Sequence, residues 1–239
     1  MKAVFFSDAH LPYNDAGRVR AVKTFLRQIA EDADIVVVLG DLFEFYHGYD
    51  DYIYPFYGEV VDALRAAALS KSVYFIEGNH EYRMGPYFES YTGIRCVRSL
   101  SLDLDGKHVF LCHGDVFRAF SPSRLLRSRL VYSIMDLLGP DRTWRIAMQC
   151  GRVLSKKHKA YDEGVRARFR RYGKKKLREG YDAVVIAHSH IADIESYDMD
   201  GKKKTYMNTG DIVESGTYGS YISGEGFMLR TMTDDRRIS

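Results

Sequence analysis

The chain is poor in residues that build covalent or rigid frameworks. Its 239 residues include three cysteines, five prolines and one tryptophan. Cys96, Cys112 and Cys150 are odd in number and far apart. That excludes a disulfide framework or a zinc knuckle and indicates free thiols in a reducing compartment. No apolar run reaches the ~18 residues needed to cross a bilayer. The N-terminus also lacks a basic stretch followed by a small-residue cleavage site, and enters a strand at once with Ala3-Val4-Phe5-Phe6. No export signal is expected, and the reading is a cytoplasmic protein. There is no internal repeat, linker or low-complexity segment.

What is present suits one globular domain over residues 1–239. Apolar residues make up 46% and charged residues 28%, enough to bury a substantial core. The net charge of +3 hides an asymmetry. Residues 124–178 hold 17 Lys and Arg against 4 Asp and Glu, a net +13, whereas the remainder holds 18 against 28, a net −10. The split predicts a basic accessory region on an acidic body.

The body reads as alternating strands and helices. Ile35-Val36-Val37-Val38-Leu39 is continuously apolar and mostly β-branched, as in a strand covered on both faces. It ends in Gly40-Asp41. Before it lies a strand ending at Phe6 and a helix over Arg18–Ala30. After it come a helix over Gly58–Leu69 and a strand over Ser72–Ile76. This order predicts a parallel sheet with helices outside it. Asp105-Gly106 and Asp200-Gly201 predict two hairpins. Residues 122–180 show helical spacing in three stretches, with no strand pattern, and are read as a basic helical insertion. Ala183–Ile186 is a further strand.

Polar residues follow five strands, which are read as the ends of one sheet: Asp8 and His10, Asp41, Asn79 and His80, His113, then His188 and His190. In extended chain, residues i and i+2 point the same way, so each Asp-x-His or His-x-His pair aims at one place. Imidazole with carboxylate suits Mn, Fe or Zn better than Ca or Mg. Seven plausible ligands (Asp8, His10, Asp41, Asn79, His113, His188 and His190) exceed one tetrahedral site and fit two adjacent metals. Asp41 has no ligand partner nearby in sequence and is the natural bridge. Singly, such residues often just cap a turn, but that reading would have to hold at all five ends together. Two close cations would lower the pKa of a shared water and draw charge from phosphate oxygens, so a bridging hydroxide could attack phosphorus.

The blocks Asp8-Ala9-His10, Gly40-Asp41, Gly78-Asn79-His80-Glu81, His113-Gly114-Asp115 and His188-Ser189-His190 resemble, in order, the motifs of the calcineurin-like metallophosphoesterase superfamily. Ala187 stands where that pattern usually has glycine. The resemblance implies an α/β fold, a two-sheet sandwich flanked by helices with a helical cap. It implies one metal on Asp8, His10, Asp41 and His190, and a second on Asp41, Asn79, His113 and His188, most simply Mn. His80, beside a ligand, is expected to donate to a phosphate oxygen or protonate the leaving group. Glu81 is expected to orient a histidine.

Within the superfamily, Gly40-Asp41-Leu42-Phe43-Glu44, the aromatic stretch after it and the long insertion after His113 are similar to UDP-2,3-diacylglucosamine pyrophosphatases of lipid A biosynthesis. His80 replaces the arginine common in that family's third block, and the Arg-Pro usual after the paired histidines is absent at Ile191-Ala192. This resemblance implies a lipid-linked diphosphate substrate contacted by Asn79, His80, His188 and the insertion's Ser155, Lys156, Lys157 and Lys159. The apolar face including Leu125, Leu126, Leu130, Val131, Ile134, Leu137 and Leu138 is read either as an acyl-chain groove or as packing on the body. The basic surface is read as able to hold the protein on the inner face of an anionic membrane. Three rival readings stand beside this one. The first is another calcineurin-like phosphodiesterase or phosphatase, acting on a nucleotide or phosphoprotein. The second is a metal-free scaffold, which the retained ligands oppose. The third is a nucleic-acid binder, which the scarcity of aromatics among the basic residues opposes.

Overall fold

A computed structural model describes residues 1–115, 127–154 and 163–232. Two sheets stack face to face, with helices on both outer sides. In the first sheet, β1 (Lys2–Phe6), β2 (Ile35–Val38), β4 (Ser72–Ile76) and β6 (Arg95–Val97) run parallel. This sheet is completed by β12 (Thr217–Ile222) and the edge strand β13 (Gly226–Thr231), in the order β13-β12-β1-β2-β4-β6. The second sheet contains β7 (Ser99–Leu104), β8 (Lys107–Cys112), β9 (Ala183–Ile186), β10 (Ala192–Met199) and β11 (Lys202–Thr209), in the order β10-β11-β9-β8-β7. A short ribbon pairs β3 (Tyr46–His47) with β5 (Glu81–Arg83).

Strand alternation divides the core. Ala3, Phe5, Val37, Leu39 and Ile76 face between the sheets, where they meet Val109, Leu111, Val185 and Met207. Val4, Phe6, Val36, Val38 and Phe75 face the other way, toward α1 (Ala16–Thr24), α2 (Gly58–Ala68) and α3 (Gly85–Thr92). The continuous apolar run of β2 is thus required, because both of its faces are dry. On the far side of the second sheet, Phe110, Val184, Ile186 and Tyr206 pack against Phe169 and Leu177 of α6 (Glu163–Arg178).

Both Asp-Gly hairpins form as read. Asp105 and Gly106 have φ of 53° and 77°, and Asp200 and Gly201 of 54° and 72°, the double positive φ of a type I′ turn. The helix expected over Arg18–Ala30 differs. It begins at Ala16, where the Asp15 carboxylate accepts from Gly17 N and Arg18 N, both at 3.0 Å. From Phe25 to Ile29 it widens into a π-helical turn. The ribbon β3–β5, α3 and β12 were not foreseen. One expectation is corrected: the five polar strand ends belong to two sheets, with β1, β2 and β4 in one and β8 and β9 in the other.

Between β8 and β9 the chain also forms α4 (Arg129–Leu138) and α5 (Pro140–Leu154). Met135, Trp144, Ala147 and Met148 pack against the core beside α1–α3. Leu130, Ile134 and Leu137 face outward, at 72%, 47% and 88% exposure. Packing therefore does not consume this part of the apolar face. Leu125 and Leu126 lie outside the described residues.

Leu111 is fully buried between the sheets. Leu111→Ala is expected to lower unfolding free energy by about 2–5 kcal/mol, read as a shifted urea midpoint with unchanged slope. A loss under ~1 kcal/mol would mean that the two sheets are not closed on each other there.

Candidate dimetal active site

Each candidate ligand sits in the loop after a parallel strand, where α/β sheets place their sites. The loops are tied to one another through backbone. Asp8 N donates to Gly40 O at 3.1 Å, His10 N to Asp41 O at 3.0 Å and Ala187 N to His113 O at 2.9 Å. The paired ligands do not converge by strand alternation, as the sequence suggested. Asp8, His10, Asp41, His188 and His190 all have positive φ, between 42° and 67°. L-residues with side chains rarely adopt this region, and it stores strain at functional sites. The chain turns left-handed at these residues, and so both members of each pair face inward.

Two glycines let the loops close. Gly40 has φ of 89°, and a Cβ on it would lie 2.6 Å from Gly78 Cα. A Cβ on Gly78 would run into the Asp41 carboxylate. The second and third motifs therefore touch backbone to backbone, and glycine is needed on both sides.

The donor atoms form three overlapping groups: Asp8, His10 and His190; His10, Asp41 and His80; Asp41, His113 and His188. Within each, the atoms lie inside 4.8 Å of one another. In the first group, His190 Nε2 is 3.5 Å from Asp8 Oδ1 and 3.4 Å from His10 Nε2. In the last, His113 Nε2 is 3.3 Å from Asp41 Oδ2, 3.0 Å from His188 Nδ1 and 3.2 Å from Asn79 Oδ1. Asp41 Oδ2 also lies 3.9 Å from His10 Nε2, so one carboxylate oxygen faces both groups. Asp41 Oδ1 accepts the His80 backbone N–H at 2.9 Å.

The donors fit divalent cations. Asp8 Oδ1 is buried and accepts no hydrogen bond, a costly arrangement unless a cation meets it. His113 Nδ1 donates to Leu39 O at 2.7 Å, which leaves Nε2 as the ligating nitrogen. Burial, with His80 and His190 adding to it, pushes His10 down to about 3. Burial and then His113 push His188 to about 3 as well. Both are therefore neutral imidazoles near pH 7, the form that binds metal. Burial opposes charge on His113 too, but the Asp41 carboxylate outweighs it and lifts the imidazole to about 10. A cation would displace that proton. Burial raises Asp8. It opposes ionised Asp41 as well, yet His113 and His80 hold that carboxyl well below its usual range.

Glu81 requires a correction. It orients no histidine. Its buried carboxylate accepts backbone N–H groups from Gly78 at 2.8 Å, Asp41 at 2.9 Å and Phe43 at 3.2 Å. Burial, then the charge on Asp41, raises it to about 7. Its role is to hold the second and third motifs against each other. His80 donates from Nδ1 to Glu44 O at 2.6 Å, since a carbonyl can only accept. Its ring meets His10 edge-on with centroids 4.6 Å apart. Ser155, Lys156, Lys157 and Lys159 lie outside the described residues.

Two contributors were missed. Arg127 donates to Gly78 O and Glu81 O, and nothing marked it among its basic neighbours. Asn208 Nδ2 donates to Ala187 O at 2.9 Å, bracing the loop of the paired histidines. Its place in Asn-Thr-Gly-Asp after a strand was the available signal.

With this geometry in hand, comparison with known proteins defines the class. Residues 1–192 match the calcineurin-like phosphoesterase family, and the chain belongs to that family. Among curated relatives, the UDP-2,3-diacylglucosamine hydrolase of Aeromonas salmonicida is 30% identical over 234 residues, covering 91% of this chain and 88% of the relative. The protein of the same name from Aeromonas hydrophila is 40% identical over 120 residues, 48% of each chain. That from Shewanella pealeana is 36% identical over 116 residues, again 48% of each. The chain thus spans about half the length of these last two. Two solved structures share the fold at a TM-score of 0.52. They are an archaeal phosphodiesterase, 14% identical and covering 97% of this chain and all of the other, and the phosphoesterase Yfce from E. coli, 18% identical and covering 98% and 95%.

Asp41→Ala removes the carboxylate that faces both donor groups. Elemental analysis of the purified variant is expected to find neither ion retained. Wild-type protein that is active with one ion or none would exclude a dimetal site.

Proposed function

We propose that this protein is a dimetal hydrolase that cleaves the diphosphate of UDP-2,3-diacylglucosamine into UMP and 2,3-diacylglucosamine 1-phosphate. The observation that carries the chemistry is the convergence of donors from five loops on a shared Asp41. The substrate follows from the name of the Aeromonas salmonicida relative, whose match spans 91% of this chain. In this reading Asp8, His10, Asp41 and His190 hold one cation, and Asp41, Asn79, His113 and His188 the other. The cations are taken as Mn²⁺, given the nitrogen and oxygen donors. When bound, they supply a water acidified toward neutral pH and neutralise charge on the phosphate.

The remaining roles belong to side chains. Because its Nδ1 is engaged by Glu44 O, His80 offers Nε2 to a phosphate oxygen or to the leaving group. Asp41 holds the centre in register through His80 N. The outward Leu130, Ile134 and Leu137 of α4 are available to acyl chains, each buried methylene contributing about 0.8 kcal/mol. Ser155, Lys156, Lys157 and Lys159 are assigned to the substrate's phosphates and sugar. Residues 122–180 are assigned to the cap, and the net +13 of residues 124–178 within it would attract an anionic substrate and the anionic inner face of a membrane. No described helix is long and apolar enough to span that membrane, so association would be peripheral. His80, in place of the arginine common in the resembled family, favours one second reading: a calcineurin-like phosphoesterase acting on a different, soluble phosphoester.

Acylated and deacylated UDP-glucosamine substrates separate the two. UMP release with kcat/KM at least ~10-fold higher on the acylated form is expected if the tails are bound. Equal values would remove the acyl groove, and no UMP from either would leave the second reading. His80→Ala is expected to keep both ions and slow hydrolysis by ~10²–10⁴-fold. Near-normal turnover with metals intact would take His80 out of the mechanism.

A further inference from the structure

The ribbon β3–β5 is two residues on one strand and three on the other. Two-stranded ribbons are marginal on their own, so its shape is set by what grips it. At one end it carries the site: His80 immediately precedes β5, and His80 O accepts Tyr46 N at 2.9 Å. Glu81, the first residue of β5, holds the Asp41, Phe43 and Gly78 amides. At the other end the grip comes from α4. A single oxygen of Asp136, Oδ1, accepts His47 Nε2–H at 2.8 Å and Arg83 Nη2–H at 3.0 Å. His47 and Arg83 are the last residues of β3 and β5. His47 is fully buried, while Asp136 is 44% exposed. The remaining contacts reinforce the same junction. Tyr132 OH donates to Tyr82 O, and Tyr49 OH donates to Met135 O at 3.2 Å. Arg83 Nη2 also donates to Gly48 O at 2.9 Å.

We propose that Asp136 is a positioning residue: it latches α4 to both strands of the ribbon and thereby sets the placement of His80. The inference rests on the phosphoesterase reading and on the role of His80 within it. Both strand ends lie close in sequence to the site: Arg83 is three residues from His80, and His47 is three from Glu44, whose carbonyl holds the His80 ring. A carboxylate pulling both strand ends toward α4 therefore acts on both fixings of that imidazole, its own backbone and its hydrogen-bond acceptor. Exposed ion pairs usually matter little. This one differs because one of its donors is a buried imidazole whose other nitrogen, Nδ1, has no hydrogen-bond partner, so Asp136 supplies the hydrogen bond the ring has. The consequence for function is coupling: what engages α4 reaches the reacting centre through the junction that Asp136 anchors.

The test uses an aryl phosphoester too small to reach α4. Asp136→Ala is expected to lower kcat about tenfold to a hundredfold with KM and metal content unchanged, the scale of a misplaced catalytic group. Asp136→Asn, which keeps an acceptor for both donors, should recover most of it. Asp136→Ala combined with His80→Ala should be no slower than His80→Ala alone, because the two act as a unit. Arg83→Met is a second way to weaken the latch and should reproduce the kcat loss. Independently of turnover, hydrogen exchange at the Tyr46 and His80–Arg83 amides should accelerate in Asp136→Ala and Arg83→Met. Unchanged exchange overturns the latch, as do multiplicative losses in the double variant or a fall in melting temperature with kcat intact. Wild type inactive on aryl phosphoesters, with exchange responding as expected, would overturn the phosphoesterase reading and leave the latch standing.

Discussion

One carboxylate has to satisfy two neighbouring groups of donors while buried to 1% exposure, and most of the molecule is arranged to permit it. An ionised carboxylate removed from water is costly unless opposite charge and hydrogen bonds surround it. Asp41 therefore needs the His80 N–H on one oxygen, His113 and His10 facing the other, and room for its own peptide beside Gly78. Those requirements come from different strands in two sheets. The sandwich must bring the ends of β1, β2 and β4 over the ends of β8 and β9, and the dry layer between the sheets holds them in that relation. Packing energy contributed by residues such as Val37, Leu111 and Met207 is in this sense what keeps the donors together against their mutual repulsion and desolvation.

The same constraint explains where backbone strain is kept. Five candidate ligands turn left-handed, and each such residue costs of order 1–3 kcal/mol. The strain persists because inter-loop hydrogen bonds from Asp8 N, His10 N and Ala187 N leave no relaxed alternative. Glu81 belongs to this scaffold and not to the chemistry. By collecting three amides it replaces the hydrogen bonds that the turns at Gly40 and Gly78 would otherwise lack. Its elevated pKa, about 7, follows from the burial this task demands and from the charge of Asp41 beside it.

The strands and the convergence of candidate donors at their ends were legible in the sequence for a physical reason. A strand dry on both faces must be apolar throughout, so a charge at its end is conspicuous, and the two Asp-Gly turns announce themselves by the φ they require. The calcineurin-like motifs carried the metal assignment further than spacing alone. What stayed hidden depends on the third dimension. The ribbon β3–β5 is too short to show any period. The π-helical turn at Phe25–Ile29 keeps helical spacing and differs only in hydrogen bonding. Glu81 was misread because its place in the motif says that it is buried near the site, not which groups it meets. The extended-chain argument for Asp8 and His10 reached the right neighbourhood through the wrong conformation, since a left-handed pair and a strand pair can both face one point.

Charge outside the site completes the picture. The helix α6 carries eight Lys and Arg along with one Glu, and Arg166, Arg170, Lys174 and Arg178 repeat at i+4, a spacing at which like charges destabilise a helix. Two features offset that cost. Phe169, Gly173 and Leu177 anchor the opposite face on the second sheet, with Gly173 allowing the Tyr206 ring to lie against the helix. Arg170 is held by Asp193 at 2.6 and 2.7 Å and by Glu195 at 2.8 Å, on the strand that leaves the paired histidines. Arg170 is thereby paired with two carboxylates, while Arg171, Lys174 and Arg178 line a groove of about 520 Å³ with Tyr197. Screening confines each of these charges to roughly 8 Å at physiological salt. Along that groove these cations can draw an anion toward the protein.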